Sequence, residues 1–148
     1  MERLKNISLF VIVAALIMGV SSLLKSPFVI EFLKSNLITI LIALLAINTT
    51  TGSVVMTRLR EITDSTGVDF GASIRELRSS IIEQVWFIAL GIILLIAMNS
   101  HIVLALHQHA EIILSVLLVA VFVASLHSLY DTANSIFVIL HHENEKKR

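Results

Sequence analysis

The chain has 148 residues, of which 56% are hydrophobic and 15% charged, and its mean hydropathy is +0.90. A soluble domain of this length does not need so much apolar surface, so the composition predicts an integral membrane protein. The formal net charge is zero, which argues against a general polyanion binder, and the absence of cysteine excludes disulfides, thiolate metal sites and cysteine nucleophiles.

Four apolar stretches with few or no charged residues are long enough to cross a hydrocarbon core of about 30 Å as helices. They are residues 6–24, 35–57, 81–98 and 112–132. The first resembles a secretory signal, but no Ala-x-Ala site follows it, so we expect it to be retained as a span. The sequence therefore predicts an all-α integral membrane protein, a single domain of four transmembrane helices.

The distribution of lysine and arginine predicts the orientation of these spans. Nine of the eleven lie near the N-terminus, between the second and third spans, or in the C-terminal tail, whereas Lys25 and Lys34 lie on the opposite side. Positive residues accumulate on the cytoplasmic side of membrane proteins. We therefore expect a multi-pass membrane protein with both termini in the cytoplasm.

The segment between the second and third spans, residues 58–80, is predicted to form a cytoplasmic helical hairpin. Apolar residues continue at helical spacing beyond each span. They are Val55, Leu59 and Ile62 on the first arm, and Ile74, Leu77 and Ile81 on the second. Ser73 and Glu76 have the form of a capping box, which predicts the start of the second arm. The turn is expected between residues 63 and 72.

Four arginines lie on the outer faces of the predicted hairpin: Arg58, Arg60, Arg75 and Arg78. They are consistent with contact to anionic headgroups of membrane lipid, which also orients the chain. An alternative interpretation is an anion site. If several subunits surround an axis, these arginines form a positive ring that can bind a nucleotide or a single-stranded oligonucleotide.

Polar residues inside the predicted spans gather in their cytoplasmic halves. They are Asn48, Thr49, Thr50, Thr51, Ser53, Glu83, His127, Asp131 and Asn134. One interpretation is contact between helices, because small polar residues permit close approach and hydrogen bonds across helices. The other is a water-accessible inner vestibule that leads to an apolar constriction in the outer half. His127 and Asp131 share one helix face and could also relay protons.

The sequence indicates neither metal binding nor catalysis. His107, His109 and Glu111 offer metal-ligand types, but a helix directs only His107 and Glu111 to one face, so we predict no metal site. The sequence has no nucleophile elbow, zinc-protease helix or phosphate-binding loop. We expect neither enzymatic activity nor a cofactor.

Two segments carry a resemblance to a known group of proteins: SNLITILIALLAINTTTGSVVMTRLREI at 35–62 and IRELRSSIIEQVWFIALGIIL at 74–94. In hydropathy and charge placement, residues 35–95 resemble small four-span bacterial anti-phage membrane effectors of the lambda Rex B and Hailong types. The resemblance implies a channel-like effector that depolarises the inner membrane in response to a cytoplasmic, nucleotide-derived signal.

Four spans are too few to enclose a wide pore within one subunit. A conducting protein would therefore be a homo-oligomer, most simply a cyclic one such as a tetramer. Two other functions fit the same residues. The first is a non-conducting assembly subunit that binds another membrane protein, and the second is a small proton-coupled transporter that uses His127 and Asp131.

Overall fold

The computed structural model of the protein describes residues 2–67, 70–106 and 109–146. These residues form helices and short connections, and no strand occurs among them. The helices are α1 (Glu2–Leu23), α2 (Phe28–Thr66), α3 (Gly71–Met98), α4 (His101–Leu106) and α5 (Ala110–Lys146). The predicted all-α class is confirmed for the described residues.

Three helices, α2, α3 and α5, are long and apolar enough to cross a membrane. The apolar part of α1, Ile7–Leu23, is shorter, so the prediction of a fourth span stays a prediction. The 39 residues of α2 extend over about 58 Å, well beyond a hydrocarbon core. A helix of this length that crosses a bilayer projects from it at one end or at both, which is compatible with the predicted hairpin.

The hairpin turn lies where it was predicted, but the second arm begins earlier. Gly67 ends α2 in the left-handed conformation, with a φ of 71°, and its N–H donates to the Thr63 carbonyl at 2.8 Å. Helix α3 begins at Gly71, and the carbonyl of Phe70 accepts the first hydrogen bond, from Ile74. Ser73 thus lies inside the first turn, and the predicted capping box is wrong. Phe70 packs beside the apolar residues of the hairpin, which explains the earlier start.

Helix α5 occupies the centre of the bundle and packs against α1, α2 and α3, whereas α1 packs chiefly against α5. This arrangement makes α5 the most deeply buried of the three spanning helices. The main apolar core includes Ala14 of α1, Leu37 and Leu41 of α2, Leu94 of α3 and Leu118 of α5. Large apolar side chains remain exposed on the outer faces, as expected for a bundle that lipid surrounds.

A second, separate apolar core holds the two arms of the hairpin together. Val55, Leu59 and Leu77 are buried there, and Ile74 and Phe70 pack against them. We call these five residues the stem, and the end of the bundle that carries them the hairpin end. The apolar stripes predicted from helical spacing are confirmed for Val55, Leu59, Ile74 and Leu77.

Helices α2 and α3 approach each other closely at Gly91. A Cβ atom at this position would lie 3.3 Å from Leu41, 3.4 Å from Leu37 and 3.5 Å from Ile38. At the opposite end of the contact, a Cβ at Gly52 would lie 3.9 Å from Ile81. These pairs define the antiparallel register of α2 and α3, in which Asn48 and Gln84 lie at the same level.

Candidate functional site

A layer of buried polar side chains separates the main core from the stem. Asn48 of α2 is 1% exposed and Gln84 of α3 is 2% exposed, and Ser128 and Thr132 of α5 are also buried. Ser80 of α3 lies among them and is partly buried. We call these five residues the polar junction. It joins the three helices that are long enough to span a membrane.

Ser80 is the centre of a closed hydrogen-bond network in the polar junction. The Asn48 amide donates to the Ser80 hydroxyl at 3.0 Å. The Ser80 oxygen lies 2.8 Å from the Thr132 hydroxyl and 3.1 Å from the Ser128 hydroxyl. Thr132 donates to the Ser128 carbonyl at 3.0 Å. The Ser80 hydroxyl therefore donates to Thr132, and the Ser128 hydroxyl donates to Ser80, because each hydroxyl has one hydrogen.

Three buried polar atoms of the polar junction lie outside this network. Asn48 Oδ1, Gln84 Nε2 and Gln84 Oε1 have no hydrogen-bond partner in the part of the chain that the structure describes. Buried polar groups are normally paired, and an unpaired one costs about 1–3 kcal/mol. The polar junction therefore has unused hydrogen-bonding capacity in the middle of an apolar bundle.

A second polar surface runs along the outside of α2. Seven exposed residues that are small or polar alternate at spacings of three and four: Asn36, Thr39, Ala43, Ala46, Thr50, Ser53 and Thr57. We call this surface the α2 stripe. The spacing directs all seven side chains to one side of the helix, away from the bundle core. The stripe covers the whole apolar length of α2.

Most polar groups of the α2 stripe bond to their own helix. Thr50 donates to the Ala46 carbonyl at 2.8 Å, and Ser53 donates to the Thr49 carbonyl at 2.8 Å. Thr57 and Asn36 bond in the same way, four residues back. These bonds satisfy the hydroxyl hydrogens and leave lone pairs of the oxygens facing outward. Thr50, Ser53 and Thr57 can therefore face protein or water without leaving an unpaired hydroxyl hydrogen.

The residues predicted for the inner vestibule lie in different surroundings. Asn48 is in the polar junction, whereas Thr50 and Ser53 are on the α2 stripe. Thr49 is exposed beside the stripe, and Thr51 and Glu83 are half-buried. These side chains therefore do not share one environment within the described chain. Any shared vestibule would have to be formed between chains.

The predicted polar face of α5 lies near α1. His127 Nδ1 and Asp131 Oδ2 are 3.0 Å apart, which confirms that the two residues form a pair. The His127 ring also packs edge-on against Phe10 of α1, with ring centres 5.0 Å apart. Asn134 is exposed one turn further along. The His127–Asp131 pair therefore belongs to the α1–α5 contact rather than to the α2 stripe.

The four hairpin arginines, Arg58, Arg60, Arg75 and Arg78, are all exposed. Arg58 pairs with Glu61 of the same helix at 3.0 Å. Arg60 lies three residues after Thr57 and therefore continues the α2 stripe, as Asp64 does four residues later. Of the two arginines of α2, Arg60 is the one that lies in line with the stripe.

His107, one of the three potential metal ligands named from the sequence, lies outside the described residues. Within the described ranges, no group of three or more histidine, aspartate or glutamate side chains is arranged to hold a metal ion.

The fold contains three helices that are long and apolar enough to span a membrane. It is therefore compatible with a multi-pass membrane protein. No protein-family model, curated protein or solved structure matches the chain. The resemblance to anti-phage effectors therefore stays a prediction, and function must be argued from the polar junction, the α2 stripe and the hairpin arginines.

Four members of the polar junction were not among the predicted site residues: Ser80, Gln84, Ser128 and Thr132. The sequence does contain a pattern that indicates these four residues. Ser80 and Gln84 are four residues apart on one helix, and Ser128 and Thr132 are four residues apart on another. Polar pairs at this spacing inside apolar segments share a helix face. Each pair therefore indicates a polar contact with a neighbouring helix.

Proposed function

We propose that the protein is a homo-oligomeric ion channel of the bacterial inner membrane, whose pore is lined by the α2 stripes of several subunits. Its activity would depolarise the membrane in anti-phage defence under the control of an anionic cytoplasmic ligand. The observation that carries this proposal is the exposed α2 stripe. Five of the seven stripe residues are polar, and polar side chains within spanning helices tend to face protein or water rather than lipid.

The packing of the bundle supports a pore between subunits rather than within one. Helix α5 fills the centre of the bundle, so the interior of a single chain is occupied by side chains. Around a rotation axis, by contrast, the α2 stripes of neighbouring copies would face one another. Rings of threonine and serine oxygens can then replace part of the hydration shell of an ion, as polar pore linings do.

The charge distribution supports an orientation with the hairpin end in the cytoplasm. Nine of the eleven lysines and arginines would then lie on the cytoplasmic side, together with both termini. The stripe continues into Arg60 and Asp64 at this end. In an oligomer these residues would surround the cytoplasmic mouth of the pore. Arg60 would then be placed to bind the phosphates of a nucleotide or an oligonucleotide.

Cysteine substitution tests the pore lining directly, because the natural sequence contains no cysteine. Thr50→Cys and Ser53→Cys should be modified by a water-soluble, membrane-impermeant thiol reagent, and the modification should reduce the current in planar bilayers. Val85→Cys is the matched control. Val85 is exposed on α3 at about the same depth, but it lies off the stripe and would face lipid.

The pattern of labelling separates the proposal from its alternatives. If the stripe cysteines are no more reactive than Val85→Cys and the oligomer carries no current, the channel is refuted. Stripe cysteines that are protected in native membranes but reactive in the purified protein would instead indicate an assembly subunit that binds a partner there. Flux that requires one solute and a pH gradient would favour a transporter.

The ligand response should depend on Arg60 more than on Arg58. Arg60→Gln should weaken the effect of a short single-stranded oligonucleotide on the current by about tenfold or more, since each charge-assisted phosphate contact is worth about 1.5–3 kcal/mol. Arg58→Gln is the control, because Arg58 already pairs with Glu61. Titration of the current with oligonucleotide measures both. Equal effects of the two substitutions would indicate a general attraction to surface charge and would contradict a ring at Arg60.

A further inference from the structure

The hydrogen bonds among the side chains of the polar junction leave three of its buried polar atoms unpaired. Its three hydroxyl hydrogens are already used, in the bonds from Ser80 to Thr132, from Thr132 to the Ser128 carbonyl, and from Ser128 to Ser80. No hydroxyl hydrogen remains for the two acceptors, Asn48 Oδ1 and Gln84 Oε1. The donors that remain are the Gln84 amide and the second hydrogen of the Asn48 amide. Neither reaches the two acceptors directly, so a bridging group is needed to pair them.

The Gln84 side chain is buried too deeply to be hydrated by bulk solvent at the protein surface. The side chain is 2% exposed, and both ends of its amide are buried without a partner in the described part of the chain. Asn48, which is 1% exposed, lies at the same level on the facing helix. The unused donor and the two unused acceptors are therefore grouped at one depth of the bundle.

The three unpaired atoms, one donor nitrogen and two acceptor oxygens, determine which kind of molecule could bind between them. Water both donates and accepts hydrogen bonds, and a buried water typically makes about three of them to groups that would otherwise be unsatisfied. A monovalent cation would satisfy the two oxygens but not Gln84 Nε2. It would also be uncompensated, because all five residues of the polar junction are neutral. An apolar occupant would satisfy none of the three atoms.

We propose that the polar junction is an internal hydration site, in which about one or two water molecules bridge Asn48 Oδ1 and the amide of Gln84. The water would link α2 and α3 beside the direct hydrogen-bond network that joins both helices to α5. This inference does not depend on ion conduction. It applies equally to a channel, a transporter or an assembly subunit.

The sequence permits an unusually direct test, because it contains only two glutamines, Gln84 and Gln108. Full-length protein with nitrogen-15 in its glutamine side chains can be reconstituted in bilayers and studied by solid-state NMR. Gln108→Asn leaves Gln84 as the sole labelled residue and assigns its signal. The expected result is magnetisation transfer from water to the Gln84 side-chain amide on the timescale of a bound water.

A second variant tests the bridge to Asn48. Asn48→Leu removes the partner oxygen, so the transfer from water to Gln84 should fall clearly. Ile47→Val, which changes an exposed apolar residue of the same helix, should leave the transfer unchanged. Absence of transfer in the unmodified chain would overturn the proposal, because it would mean a dry amide or a direct bond between the two amides. Transfer that persists unchanged in Asn48→Leu would overturn the bridge.

Discussion

Replacement of Gly91 with leucine should separate α2 from α3 and lower the free energy of unfolding by about 3 kcal/mol or more. Even a Cβ atom at this position would meet three side chains of α2 at 3.3–3.5 Å, and leucine adds three further carbon atoms. The contact cannot accommodate them without moving one of two long helices. Thermal unfolding in lipid bicelles, followed by circular dichroism, measures the effect.

Gly19→Leu is the matched control for this prediction. Gly19 also lies within an apolar helix, but a Cβ atom there would meet nothing within 4 Å. This control should be neutral or slightly stabilising, because leucine has a higher helix propensity than glycine. If Gly91→Leu unfolds at the same temperature as Gly19→Leu, the close packing of α2 on α3 is not required for stability.

Ser80→Ala is expected to have the second largest effect, although it removes a single oxygen atom. The substitution leaves the Asn48 amide and the Ser128 hydroxyl without an acceptor, and Thr132 Oγ1 without a donor. Hydrogen bonds between membrane helices average about 0.6 kcal/mol, and buried unpaired groups cost about 1–3 kcal/mol. We therefore expect a loss of about 2 kcal/mol in the same unfolding assay.

Ser79→Ala provides the comparison for Ser80→Ala. It removes the same group from the adjacent residue, whose side chain is directed to a different face of α3. The loss of stability should be well below that of Ser80→Ala. Equal losses for both variants would show that the network centred on Ser80 contributes nothing beyond the helix itself. A larger loss for Ser79→Ala would place the important contact elsewhere.

Features that depend on local sequence were predicted well. The stem was foreseen because Val55, Leu59 and Leu77 follow the helical period, which is visible within one segment. The turn was foreseen because glycine tolerates the positive φ found at Gly67. The start of α3 was misplaced, since packing of Phe70 against the stem, rather than a capping side chain, determines where that helix begins.

The polar junction could not be predicted from local patterns alone. Ser80 bonds to residues that are 32, 48 and 52 positions away, and those distances in sequence are bridged only when three helices assemble. The sequence pattern indicated that polar residues gather at one end of the predicted spans. It could not separate those that face inward, such as Asn48, from those that face outward, such as Thr50, because this depends on the rotation of each helix against its neighbours.

The packing of α1 has a consequence for how the protein is made. Synthesis proceeds from the N-terminus, so α1 is made before its chief packing partner, α5, which follows only after residues 24–109. Until α5 is made, α1 lacks the helix against which it chiefly packs in the finished bundle. Helix α1 therefore reaches its final place only late in synthesis. A ribosome that stalls before α5 would leave α1 without this contact, accessible to the proteases that remove incomplete proteins.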